Sequence, residues 1–146
     1  MKSGINDVMN CFNEGFDCSQ AILSVYGKDL GLDEETAMKI SCGLAVGVAR
    51  TGRTCGAAIG AYMVIGLMHG RCRVDDKEAK ERTFELIQEF DQRFAERNGS
   101  LNCTELLGID LGKDRSSGSA KQQVKKICPK LVKDAAEILE SLLFTK

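Results

Sequence analysis

The apolar segment from Gly56 to Met68, GAAIGAYMVIGLM, constrains the fold of this chain more than any other feature. A helix that is apolar on every side has to be covered by other elements of the protein. The segment therefore predicts a central helix over residues 55–69, ending at Gly70. Because the run is shorter than the ~20 apolar residues that cross a bilayer, we expect no membrane insertion.

Apolar residues recur at helical spacing through the rest of the chain, and no stretch alternates as a strand does. Helices are predicted over about 6–13, 17–30, 33–40, 74–98 and 120–127, with a short one near residue 103 and a last one whose first turn contains Pro129. The glycines of 43–52 and the polar residues of 112–119 predict loops. A length of 146 residues fits one domain, spanning residues 1–146. The expected fold is an all-α, single-domain helical bundle of about five to seven helices around the helix 55–69.

Charge and composition exclude several classes of function. The net charge is −1, with the basic residues spread along the chain, and aromatic residues make up only 5%. We therefore expect no nucleic-acid binding. The amino terminus lacks the apolar core of a signal peptide, which favours a cytoplasmic location. Seven cysteines in a reducing compartment favour metal binding or redox chemistry over a disulfide framework, since an odd number cannot pair fully within one chain.

Four of the seven cysteines begin predicted helices: Cys18, Cys55, Cys103 and Cys128. Each is followed three and four residues later by apolar side chains, so its sulfur is expected to face the core. The partial positive charge of a helix amino terminus also lowers a thiol pKa. The four thiols are therefore predicted to converge on one site. The alternative is that they fill core space as small apolar side chains.

The remaining cysteines differ in their predicted positions. Cys42 lies at the end of a helix, where the dipole disfavours a thiolate, while Cys11 and Cys72 do not share the pattern.

The loop before the apolar helix, RTGRTCG, makes Cys55 the candidate catalytic nucleophile. Gly52 and Gly56 would let the backbone approach that sulfur closely. Arg50 and Arg53 would supply positive charge to a thiolate or to an anionic cluster. These four flanking residues are the candidate cofactor-binding residues, and a lowered pKa is expected for the thiol. Close helix packing and a solvated loop are the simpler explanations of the same residues.

The sequence resembles the C-GCAxxG-C-C family of redox-active proteins, which have four cysteines and a CGAxxG motif. The matching blocks are GFDCSQAI from residue 15, CGAAIG from residue 55, LNCTELL from residue 101, and Cys128 followed by AAEIL from residue 135. The resemblance selects the same four cysteines as one site and implies redox chemistry. Related domains occur fused to oxidoreductases and in haem proteins that carry an iron–sulfur centre. Leu44, Ala45 and Val46 depart from the family, which is richer in glycine there.

Three functions are compatible with these residues. In the first, Cys18, Cys55, Cys103 and Cys128 bind an iron–sulfur cluster or another thiolate-bound metal for electron transfer with a redox partner protein. Zinc fits less well, because structural zinc sites usually contain closely spaced cysteine pairs. The second is a metal-free thiol–disulfide protein that attacks through Cys55. The third is a helical interaction protein with inert cysteines.

The first two functions would make the chain an oxidoreductase or an electron-transfer component. A homodimer that covers the apolar helix is an alternative arrangement of the bundle.

Overall fold

The computed structural model describes residues 2–114 and 118–144, and within them it confirms the all-α fold. The helices are α1 (Ile5–Glu14), α2 (Cys18–Asp29), α3 (Glu34–Cys42), α4 (Ala45–Val48), α5 (Gly56–His69), α6 (Lys77–Asn98), α7 (Cys103–Leu107), α8 (Leu111–Asp114) and α9 (Gly118–Leu143). The segments α4 and α8 are single turns of four residues, and the other seven helices form the bundle. Among the described residues the only β-type contact is an isolated bridge between Thr54 and Asn102.

Most helix boundaries follow from the local sequence. Asp33, Asp76 and Asn102 each precede a helix and accept a hydrogen bond from the backbone N–H three residues later, at 3.0, 3.2 and 3.0 Å. These bonds satisfy N–H groups that have no partner inside the helix. Gly15 and Gly99 end α1 and α6 with φ values of 118° and 86°, a region that glycine adopts without steric cost.

The carboxyl-terminal part of the chain differs from the prediction. One continuous helix, α9, covers Gly118–Leu143 and contains Pro129 in its interior, so the predicted helix start at this proline is wrong. The proline removes one backbone hydrogen bond from the helix. The second half of α9 buries one face against α1, α5 and α6, and this burial outweighs the loss of that bond. The predicted loop 112–119 is also partly wrong, because α8 extends to residue 114 and α9 begins at residue 118. Residues 115–117 of that loop lie outside the described part.

Helix α5 lies at the centre of the bundle and packs against α2, α6 and α9. Five of its side chains have no exposed surface: Ala57, Ala58, Ala61, Val64 and Ile65. Gly60 permits the close approach of α2, since a Cβ atom at this position would lie 2.9 Å from the Cβ of Ile22. Ile59, Tyr62 and Met63 are half-buried, and Leu67 is exposed. The predicted central position of this helix therefore agrees with the packing.

Aromatic side chains fill the contact between α5 and α6. The Phe90 ring stacks on Phe94 at a centroid distance of 5.7 Å and meets the edge of Tyr62 at 5.9 Å. Both phenylalanines are fully buried. The Tyr62 hydroxyl donates a hydrogen bond to Asp91, so the polar end of this ring is satisfied. None of the described helices combines the length and the apolar composition needed to span a membrane.

Candidate functional site

Four cysteines from separate parts of the chain, each in or next to a different helix, line one small cavity of about 20 Å³. They are Cys18 of α2, Cys55 immediately before α5, Cys103 of α7 and Cys128 of α9. The first three are buried and Cys128 is half-buried. The remaining walls are mainly apolar and are formed by Phe12, Val46, Val124, Leu131 and Val132, together with Asp17 and Gly56. The bundle thus brings together thiols that are far apart in the sequence.

Cys18 and Cys55 meet where α2 crosses the start of α5. A Cβ atom on Gly56 would lie 2.5 Å from the Cys18 sulfur, so only glycine leaves room for the thiol at this position. The backbone N–H of Val46 donates a hydrogen bond to the Cys18 sulfur. The N–H groups of the first turn of α5, at Ala57 and Ala58, donate to the Cys55 sulfur. Backbone donors therefore support both sulfurs.

A short backbone pairing joins the starts of α5 and α7. The N–H of Cys55 donates to the carbonyl of Leu101 at 2.8 Å, and the N–H of Cys103 donates to the carbonyl of Arg53 at 2.6 Å. Next to them, the hydroxyl of Thr104 donates to the carbonyl of Gly52 at 3.0 Å. These bonds fix the relative positions of two helix starts, each of which carries a cysteine.

The glycine loop that the sequence predicts contains a left-handed turn. Five successive residues have positive φ: Val46 (55°), Gly47 (67°), Val48 (66°), Ala49 (53°) and Arg50 (62°). An L-residue in this conformation costs roughly 1–2 kcal/mol, so the turn is strained. It is held by hydrogen bonds from the N–H of residue 53 and the hydroxyl of residue 51 to the carbonyl of residue 47, at 2.9 and 2.8 Å. Strained backbone of this kind occurs preferentially at functional sites, and this turn carries one wall of the cysteine cavity.

Burial raises the pKa of each thiol in the cavity. The pKa of Cys55 is about 11, because desolvation outweighs the N–H donors of α5, so the predicted lowered value is wrong. The pKa values of Cys18 and Cys103 are about 12, first through burial and then through a neighbouring cysteine. Burial and the other three cysteines also raise the pKa of Cys128. The four thiols are therefore protonated at neutral pH when nothing is bound to them.

These shifts predict that the reduced, metal-free protein loses stability as the pH rises. Unfolded cysteine loses its proton near pH ~8.5, whereas the folded-state pKa values of Cys55 and Cys18 are about 11 and about 12. The stabilising contribution is complete below pH ~8.5 and is lost as the pH rises through the folded-state values. Urea denaturation near pH 8 and near pH 10.5, with reductant and chelator, measures the fall.

Two variants control for other alkaline effects. Cys18→Ala removes a buried thiol, so the free energy of unfolding is expected to fall less between the two pH values than in the wild type. Cys72→Ala removes an exposed thiol and is expected to leave the fall unchanged. An identical pH dependence in both variants would contradict the assignment of the shift to the cavity.

The positions of Cys18, Cys55 and Cys103 at helix starts agree with the sequence analysis, but Cys128 lies inside α9, so its predicted place at a helix start is wrong. The shared cavity instead follows from the packing of α9 on α7. Asp17, the first residue of the predicted helix 17–30, is also a wall residue, and it directly precedes a site cysteine.

The candidate cofactor-binding residues divide into two groups. Gly56 is a wall residue of the cysteine cavity. Gly52 lies next to the cavity, and its carbonyl accepts the hydrogen bond from Thr104. The side chains of Arg50 and Arg53 are exposed and do not line this cavity. The Arg53 Nε donates to the Thr51 hydroxyl at 3.0 Å.

The other three cysteines lie outside the cavity. Cys42 and Cys72 are exposed, and the Cys11 sulfur lies 3.8 Å from the Ser24 hydroxyl.

A helical bundle with four cysteines around one cavity, three of them buried and one half-buried, defines a class of thiol-based site rather than a single activity. The chain belongs to the family described as "Putative redox-active protein (C_GCAxxG_C_C)", whose model matches residues 16–142. The match includes all four cysteines of the cavity and confirms the resemblance seen in the sequence. No curated protein and no solved structure matches the chain. The family establishes a redox-active class.

The chemistry of the four donors fits a soft metal, but their spacing does not. Thiolates are preferred ligands of iron–sulfur clusters, zinc and copper(I). Within residues 2–114 and 118–144, no group of three or more histidine, cysteine or acidic residues is spaced to hold a metal ion. The cavity of about 20 Å³ has room for little more than one water molecule. A bound ion would require the sulfurs to move closer together, and a cluster of several iron and sulfide atoms would also require the walls to separate.

Proposed function

We propose that Cys18, Cys55, Cys103 and Cys128 form one redox-active site that binds a thiolate-held metal centre, either an iron–sulfur cluster or another metal, for electron transfer. The observation that carries this proposal is the convergence of four cysteines, each in or next to a different helix, on one small cavity. Cysteines that only filled space in the core would not be expected to line the same cavity. When bound, such a centre supplies the capacity to accept and donate electrons.

The residues around the sulfurs suit this role. Apolar walls, among them Phe12 and Leu131, limit the access of water, and limited solvent access influences the potential of a metal site. Backbone N–H groups of Val46, Ala57 and Ala58 donate to the sulfurs. Such donors stabilise negative charge on thiolates and are a recognised means of adjusting a redox potential.

The proposal is tested by metal content after purification without oxygen from cells supplied with iron. Iron, zinc, acid-labile sulfide and the visible spectrum are measured on the same sample. We expect a bound metal in the wild type and its loss when any one of the four cysteines is replaced by serine. Cys42→Ser and Cys72→Ser are the matched controls, because both thiols are exposed, and are expected to retain the metal.

A colourless wild-type protein without bound metal would overturn the metal proposal. Equal metal content in the cavity variants and the two controls would overturn it as well. Circular dichroism of each variant separates the loss of a ligand from a failure to fold.

The second candidate is metal-free thiol–disulfide chemistry, and the proximity of Cys18 to the start of α5 favours it. A disulfide between Cys18 and Cys55 would form as the two thiols lose two electrons and two protons. The electrons and the protons would pass to a disulfide of the partner, which becomes two thiols. The high pKa values slow this attack, because the thiolate is the reactive form. Mass spectrometry after exposure to a disulfide reagent decides between the candidates. A stoichiometric Cys18–Cys55 bond in a metal-free protein would support the second one.

In either case we place the chemistry in the cytoplasm with a redox partner protein as electron donor or acceptor. The half-buried Cys128 is the cavity cysteine nearest to solvent and is the expected point of exchange with that partner. A homodimer stays a prediction, to be measured by light scattering of the purified protein.

A further inference from the structure

A second, larger cavity shares a wall with the cysteine cavity. It is an open groove of about 320 Å³ between the left-handed turn and the first turns of α9. Asp17, Val46 and Val124 line both cavities, so these side chains separate the groove from the four sulfurs. A volume of this size is at the lower end of the range of sites that bind small molecules.

Positive charge predominates in this groove. Among the described side chains, Arg50, Lys121 and Lys125 line it, against a single carboxylate from Asp17. Within the part of the chain that the structure describes, none of these three cations makes an ion pair. Three cations around one concave surface are notable in a chain whose net charge is −1. The charge of the groove therefore selects for anions.

The other described side chains of the groove are apolar. Val46, Leu111 and Val124 provide an apolar floor next to the charged residues. The start of α9 is anchored to α7 by the Gln123 side chain, whose Nε2 donates to the carbonyl of Leu107 at 2.8 Å. An apolar surface with a few charged groups at its edge is typical of sites for small organic ligands rather than for inorganic ions.

We propose that this groove, the basic groove, binds a small organic anion, with the apolar part of the molecule against Val46 and Val124. The anionic group lies among Arg50, Lys121 and Lys125. The ligand is thereby held one side chain away from the cysteine cavity. The role of the anion as the substrate of the site rests on the proposed redox function, whereas its binding rests on the groove alone.

The probe is benzoate, which combines a carboxylate with an apolar ring, and benzamide is its neutral counterpart. Titration of the full chain, with NMR detection of valine methyl groups, is expected to give saturable shifts at Val46 and Val124 with benzoate and much smaller ones with benzamide. The triple variant R50Q/K121Q/K125Q is expected to weaken benzoate binding by about tenfold. Added salt is expected to weaken binding to the wild type, since the groove is open to solvent.

Two further variants sharpen the test. Lys126→Gln removes an exposed charge on the same helix that does not line the groove, and it is expected to leave the affinity unchanged. Asp17→Asn removes a carboxylate that lines the groove while asparagine remains a good residue for the start of α2, so benzoate is expected to bind about two- to threefold more tightly. Phenyl phosphate in the same titration distinguishes a carboxylate site from a phosphate site.

The proposal is overturned if no shift at these two valines saturates, if benzamide binds as well as benzoate, or if the triple variant binds like Lys126→Gln. The failures of the two proposals are distinguishable. Benzoate binding in a protein that retains no metal would support the proposed groove ligand and overturn the proposed metal centre. Metal retention without benzoate binding would do the reverse.

Discussion

Replacing Gly47 with alanine is expected to lower the free energy of unfolding by about 2–5 kcal/mol, the sum of a left-handed backbone penalty and overpacking. A Cβ atom at this position would lie 2.7 Å from the backbone nitrogen of Arg53 and 2.7 Å from the Cβ of Cys103. Neither atom can move away easily, because both belong to the paired starts of α5 and α7. Chemical denaturation measures the effect, and metal content is expected to fall with it because Cys103 is displaced.

Gly43→Ala is the matched control for this change. Gly43 has an ordinary φ of −76°, and a Cβ atom there would have no heavy atom within 4 Å. We expect a change of less than about 0.5 kcal/mol, as for other surface substitutions. Similar losses at the two glycines would contradict the left-handed conformation of the turn.

The Phe90→Ala substitution is expected to cost about 3–5 kcal/mol, the usual range for deleting a buried phenylalanine side chain. Its ring has no exposed surface and contacts two other rings, Phe94 and Tyr62, so the deletion leaves a cavity between α5 and α6. The shift of the urea denaturation midpoint at constant slope gives the value.

Phe84→Ala provides the comparison within the same helix. Phe84 is 50% exposed, and its ring lies 5.5 Å from the Lys80 ammonium. Removing it is expected to cost less than about 1 kcal/mol, since little apolar surface is lost from the core. Equal costs at the two positions would contradict the central position of α5 and its contact with α6.

The parts of the fold that depend on local chemistry could be predicted from the sequence. Asp33 and Asp76 mark helix starts because their carboxylates bind nearby N–H groups, and this interaction needs no tertiary contact. The apolar run of α5 likewise predicts a covered helix from local sequence alone, because the helix has no polar face to expose to solvent. Within the site, the local sequence likewise predicts helix starts at Cys18, Cys55 and Cys103, where the structure has them.

The features that depend on tertiary contacts could not be predicted in this way. Pro129 favours a helix start locally, but the buried face of α9 outweighs the lost hydrogen bond. The thiol pKa values follow from burial by other helices, and the expected effect of the helix dipole on Cys55 is too small to reverse it. The basic groove could not be predicted from the sequence either. Lys121 and Lys125 lie more than sixty residues from Arg50, so no local motif contains all three side chains.

The left-handed turn has a consequence for the chirality of the chain. A left-handed helical turn is the mirror image of the ordinary right-handed turn, so it is the backbone conformation that D-residues prefer. At residues 46 and 48–50 the backbone conformation therefore favours D-amino acids, introduced by chemical synthesis, over the natural L-residues, whereas the achiral Gly47 adopts it without that cost. The ribosome incorporates only L-residues and achiral glycine, so Val46 and Val48 adopt this conformation at an energetic cost. Relaxation of the backbone to a right-handed conformation would displace both side chains. One of those side chains, Val46, forms a wall of the cysteine cavity, so the handedness of five residues fixes the boundary of the site.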